Sequence, residues 1–144
     1  MSLVSEAILE TFHDSLERCR DRTDFFNLFY DRFLASDGEI SVFFEGKDLA
    51  RIIKMVKDAL YLIMMASDTS SFAAKKIERL GEFHSAFGIK AEHYDHWLSA
   101  LLSTVEEADP HFSQDVADAW VKVMGVGIEI MKRQTKSKLS QHVG

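Results

Sequence analysis

The run Phe25-Phe26-Asn27-Leu28-Phe29-Tyr30-Asp31-Arg32-Phe33-Leu34 sets the period on which the rest of the chain is read. Its apolar side chains at 25, 26, 29, 33 and 34 recur every three or four residues, which gathers them on one face of an α-helix, whereas a half-buried strand would alternate. Upstream, Leu3, Ile8, Leu9, Phe12 and Leu16 form an earlier stripe of the same kind, and the break near Asp21-Arg22-Thr23 offers the Thr23 hydroxyl as an N-cap for the second helix. Downstream, Ser36-Asp37-Gly38 interrupts the pattern, a short apolar piece (Ile40, Val42, Phe43, Phe44) follows, and Glu45-Gly46-Lys47-Asp48 introduces a long helix to about Ala66. Leu49, Ile52, Ile53, Val56, Leu60, Ile63 and Met64 form its inward face. Beyond the capping loop Ser67-Asp68-Thr69-Ser70-Ser71, a shorter helix carries Phe72, Lys76, Ile77, Leu80 and His84 and stops at Phe87-Gly88, where glycine supplies a left-handed end. Tyr94, Trp97, Leu98, Leu101, Leu102 and Val105 mark a helix from Glu92 to about Glu107. Pro110 separates it from a last helix, capped by Ser113, with Val116, Trp120, Val123, Met124, Val126, Ile128 and Met131 inward and a basic tail suited to the helix dipole.

Composition agrees with an all-α fold. Of 144 residues 47% are apolar, and only 7 are Gly and 1 Pro, too few for a linker, a disordered chain or a turn-rich sandwich. No linker or repeat divides the chain, so residues 1–144 read as one domain of six to eight helices. Phenylalanine is in excess, 11 residues against 3 Tyr and 2 Trp. The net charge of −6, with no long basic stripe, argues against nucleic acid and against an anionic membrane. Cys19 is the only cysteine, which excludes an internal disulfide and multi-cysteine metal sites; no signal peptide or membrane-length apolar run occurs, so a cytoplasmic location is expected. Arg18 and Arg20 could lower the Cys19 thiol pKa, but a bystander thiol is the simpler reading.

Six histidines are the main source of chemistry. His13, His111 and His142 fall at polar positions and read as surface residues; His93 and His96, three apart, could share a zinc ion but lack a third ligand in the sequence. His84 shares a face with Ile77 and Leu80, so its imidazole turns inward and needs a partner or a metal. Tyr30, beside the Phe stripe, brings a hydroxyl into apolar surroundings. No phosphate loop, nucleophile elbow or HExxH motif is present.

The segments Leu28-Phe29-Tyr30-Asp31-Arg32-Phe33, Ser41-Val42-Phe43-Phe44, Ile77-Glu78-Arg79-Leu80-Gly81-Glu82-Phe83-His84 and Gly88-Ile89 through His93-Tyr94 together resemble a bacterial single-domain globin, of the type related to flavohaemoglobin globin domains. The spacings agree as well: Phe44 follows Tyr30 by 14 residues and Tyr94 follows His84 by 10. The resemblance implies a globin fold packed around haem b. It makes His84 the proximal iron ligand, with its second ring nitrogen donating to a carbonyl near Leu80, and Phe44 the ring stacked on the porphyrin, with Phe43 the alternative. Tyr30 becomes a distal donor to bound dioxygen. Val56 becomes an apolar wall of the haem pocket, Leu80 and Tyr94 belong to it, and Leu60, Leu98 and Leu102 become further contacts.

Two departures bear on function. The distal position of the long helix falls on Ile52, where close relatives carry Gln or His, or on Arg51 if the register shifts by one. The glutamate that flavohaemoglobins set near the proximal His is replaced by Thr135, which weakens the electron push on the iron. The expected function is reversible binding of dioxygen or another diatomic gas, as carrier, store or sensor. Two alternatives are a nitric oxide dioxygenase served by a separate reductase, and a haem-free globin-fold signalling domain. The faces of the last two helices could pair subunits in a homodimer.

Overall fold

The computed structural model describes residues 4–68 and 70–143, with side chains to residue 134. Seven helices and no strand occur among them: α1 (Glu6–Arg20), α2 (Phe25–Ser36), α3 (Gly38–Phe43), α4 (Leu49–Ser67), α5 (Ser71–Phe87), α6 (Ala91–Ala108) and α7 (Gln114–Val143). Local chemistry sets most of the boundaries. The Ser5 hydroxyl accepts from the Ile8 amide at 3.2 Å, Asp37 from Glu39 at 2.8 Å, Asp48 from Ala50 at 3.2 Å, Ser70 from Ala73 at 3.1 Å and Ser113 from Val116 at 3.3 Å. Each satisfies an amide that the first helical turn leaves without a partner. Thr23 does not play this part. Asp24 occupies the N-cap of α2, and its carboxylate turns to the Arg22 guanidinium at 2.6 Å instead of the helix amides.

Trp120, Phe12, Phe25, Phe29, Leu16, Leu101 and Met124 are fully enclosed at the centre. Phe12 meets Trp120 edge to face at 4.7 Å, and Phe29 meets Trp97 at 5.8 Å, so α1 locks onto α7 and α2 onto α6. Leu49, expected inward, is 43% exposed, and two further apolar residues, Val42 (61%) and Phe72 (65%), also stand outside. Leu49 and Phe72 are the first and second residues of their helices. The apolar stripe there continues past the point where a neighbouring helix covers it.

Two glycines permit the closest helix approaches. A Cβ on Gly81 would stand 2.8 Å from the Met131 Cα, and one on Gly127 would stand 2.5 Å from Ile63 Cγ1. Helix α5 therefore crosses α7 nearly backbone to backbone, one turn before His84, while at Gly127 the side chain of Ile63 on α4 fills the space a Cβ would take.

Candidate functional site

His84 lies in the last turn of α5, and the end of that helix is fixed by geometry around it. Gly88 adopts φ 102°, its amide donates to the Ser85 carbonyl at 3.2 Å, and the Ile89 amide donates to the His84 carbonyl at 2.9 Å. This left-handed exit leaves only Gly88–Lys90 before α6 begins, which brings Tyr94 back against the imidazole. His84 Nδ1 and the Tyr94 hydroxyl are 3.3 Å apart. The partner of the second ring nitrogen is thus this phenol, not the carbonyl near Leu80 that the resemblance implied. The short turn into α6 supplies a closer group.

Burial pushes the His84 imidazole below its ordinary pKa, so it is neutral at pH 7. Burial likewise pushes the Tyr94 phenol up to about 12, keeping it protonated. Nε2 of His84 makes no hydrogen bond within the described residues. A neutral imidazole with Nδ1 engaged and Nε2 free has the donor state that a metal requires.

A chain of aromatic rings extends from His84. The ring of Phe83 lies 6.3 Å away, Phe87 stacks on Phe83 at 6.1 Å, and Phe43 meets Phe87 at 5.8 Å. Phe44, the next residue, meets Tyr30 at 5.6 Å and Phe33 at 6.0 Å. The two corner phenylalanines therefore face different ways: Phe44 sides with Tyr30 on α2, and Phe43 sides with α5 and α6. Tyr30 is half-buried, burial raises its phenol pKa, and its hydroxyl has no hydrogen-bond partner among the described residues. On α4, Ile52 is buried while Arg51 points to solvent. Val56, Leu80 and Leu98 are half-buried against the core. Leu60 is fully buried and Leu102 half-buried.

Several residues behave otherwise than the sequence suggested. Phe83 and Phe87 are 62% and 46% exposed, so the phenylalanine excess does not all enter the interior. His93 and His96 do not share a site: His96 Nε2 faces Asp37 at 3.6 Å, and His93 is buried, with Nε2 3.8 Å from Glu39. The burial of His93 escaped sequence reasoning. Its spacing of three from Lys90, whose amide donates to His93 Nδ1 at 2.8 Å, was the available signal. The Cys19 thiol is buried and pushed up to about 12, chiefly by burial with the Asp109 charge adding, which makes it an inert bystander. The Thr135 and His142 side chains lie outside the described residues.

No helix among the described residues is long and apolar enough to cross a membrane. No curated protein sequence matches the chain. A solved structure from Pseudomonas aeruginosa, described as structurally highly homologous to a human haemoglobin, superposes with a TM-score of 0.85 at 33% identity, covering 89% of this chain and 98% of that one. The globin family model matches residues 27–131, the span that holds Tyr30, the corner phenylalanines, His84 and Tyr94. Helix order, overall superposition and sequence match agree, and the chain belongs to the globin family.

Proposed function

We propose that this globin holds haem b through His84 and reversibly binds dioxygen or another diatomic gas, as carrier, store or sensor. The observation that carries the reading is the state of His84: half-buried, its imidazole held below its ordinary pKa by burial, engaged at Nδ1 by Tyr94 and free at Nε2. That donor set fits an iron porphyrin. When bound, the haem supplies the iron to which a gas ligand adds.

The chain's own residues do the rest. His84 would hold the iron through Nε2, with Nδ1–H donating to the Tyr94 oxygen, which would fix the ring's orientation and raise its basicity. Tyr30 offers a protonated phenol, the one donor the distal side needs once Ile52 takes the inward position on α4 and Arg51 the outward one. Phe44, held between Tyr30 and Phe33, would pack against the group, with Phe43, beside Phe87, the alternative. Ile52, Val56, Leu80 and Leu98 supply apolar walls that would exclude water from the bound group.

The pairing of Tyr30 with Phe44 and of His84 with Tyr94 supports the relation to flavohaemoglobin globin domains, with residues 1–144 as one globin domain. Buried, unpaired Cys19 suits a reducing, cytoplasmic setting.

The test is a spectrum of the purified chain with haem supplied. A Soret band that His84→Ala removes or shifts is the expected result. No band, or the same band in His84→Ala, overturns the assignment.

A further inference from the structure

Where the start of α6 meets α3, one imidazole is buried with a polar atom unanswered. His93 is 2% exposed, and its Nε2 has no hydrogen-bond partner. Burying such a group without a partner is unfavourable. Phe43 covers the ring edge-on at 5.4 Å, so Nε2 is directed to the carboxylate of Glu39, 3.8 Å away and too far for a hydrogen bond. Glu92, the neighbour of His93 on the first turn of α6, brings a second carboxylate. One ligand atom from each of Glu39, Glu92 and His93 lies within 4.8 Å of the other two.

We propose that Glu39, Glu92 and His93 form a binding site for a divalent transition-metal ion of the Zn2+ class, separate from His84. One imidazole nitrogen and two carboxylate oxygens are a donor set that suits Zn2+, with water completing the shell. The nitrogen selects against Mg2+ and Ca2+, which prefer oxygen alone. The site already attracts positive charge: the Lys90 ammonium rests 3.0 Å from Glu39, and the charges of Glu92 and Asp37 also act on it. Lys90 is 59% exposed on a flexible stem, so it can leave to solvent when a doubly charged ion arrives.

Binding has a structural signature. Without the ion, the Lys90 amide donates to Nδ1 at 2.8 Å, and the neutral ring keeps its proton on Nε2. An ion needs the Nε2 lone pair, so the ring proton moves to Nδ1 and the Lys90 amide loses its acceptor. Occupancy therefore releases both the backbone amide and the side chain of Lys90.

The test titrates Zn2+ into the full chain, with haem supplied and Mg2+ in excess, by calorimetry and by amide NMR. One equivalent should bind, the Lys90 amide signal should move, and Glu39→Gln and Glu92→Gln should each weaken binding at least tenfold. Both carboxylates are exposed, so these variants remain folded where His93→Ala, which empties a buried position, need not. His13→Ala, which removes an exposed imidazole beside Asp14 and Glu17, should change nothing. Absence of Zn2+ binding, binding indifferent to both Gln variants, or binding lost in His13→Ala overturns the proposal.

Discussion

Tyr94 and Tyr30 carry hydroxyls of the same chemistry into different surroundings. Tyr94 is 5% exposed with one partner, His84 Nδ1, so Tyr94→Phe leaves a half-buried imidazole without that partner. The haem-free chain should lose about 1 kcal/mol in urea denaturation. In the haem-loaded chain the iron potential should rise, because an imidazole without its hydrogen-bond partner donates less electron density. An unchanged potential would remove Tyr94 from the tuning of the ligand. Tyr30 has no partner among the described residues, so Tyr30→Phe should leave haem-free stability within about 0.5 kcal/mol while speeding oxygen dissociation roughly tenfold, the loss of one hydrogen bond. An unaltered dissociation rate would mean that the phenol does not reach the bound gas. Tyr30, Phe44, His84 and Tyr94 were singled out through the family resemblance, whose spacings they match. The Nδ1 partner was not, because it depends on the left-handed exit at Gly88 and on how soon α6 begins.

At the scale of helices, three glycines of one composition class have opposite expected effects. Gly125 has nothing within 4 Å of where a Cβ would lie, so Gly125→Ala gains helix propensity alone and should stabilise the chain by about 0.5–1 kcal/mol. Gly81→Ala sets its methyl 2.8 Å from the Met131 backbone, which cannot give way by a side-chain rotation, and should destabilise by about 1–3 kcal/mol. Gly127→Ala sets its methyl 2.5 Å from Cγ1 and 3.2 Å from Cγ2 of buried Ile63, a β-branched side chain that is stiff at χ1, and should likewise destabilise by about 1–3 kcal/mol. Thermal melts of the three variants check the order, and a stabilising Gly81→Ala would mean that α5 and α7 do not approach so closely. This level explains what the sequence could and could not convey. Helix α3 read only as a short apolar piece, but apolar spacing reveals each longer helix because a periodic face needs only its own residues, and the order of the six longer helices was readable on that ground. It cannot show where a neighbour ends, hence the exposed Leu49 and Phe72, nor that Asp24 and not Thr23 begins α2. Close crossings at glycine are equally silent, since both partners must be known.

Across the whole molecule, one buried carboxylate ties together helices distant in sequence. The Asp109 side chain, fully enclosed after the end of α6, accepts from Arg18 Nε and Nη2 at 2.6 and 2.9 Å, from the Ser15 hydroxyl at 2.6 Å and from the His111 amide at 2.8 Å. Trp120 on α7 donates its indole N–H to the same Ser15 oxygen at 2.9 Å, so α1, the α6–α7 connection and α7 share one network. Burial opposes the charge on Asp109, yet the hydrogen bonds from Arg18, Ser15 and the His111 amide outweigh it and hold the carboxyl below its ordinary pKa. A carboxylate depressed in the folded state stabilises the fold at pH values above its unfolded pKa, near 3.9, and that contribution is lost as pH falls through the folded value. Asp109→Asn keeps the shape but leaves Arg18, 28% exposed, without its counter-charge; removing one member of such a pair costs about 3 kcal/mol near neutral pH. The gap between the wild-type chain and Asp109→Asn should then narrow as pH is lowered below about 4, because protonation makes the wild-type group neutral as well. Denaturation followed by tryptophan fluorescence at pH 7, 5 and 3 measures that gap directly, with Trp120 inside the network. A difference that stays constant across the series would show that shape and not charge makes Asp109 stabilising.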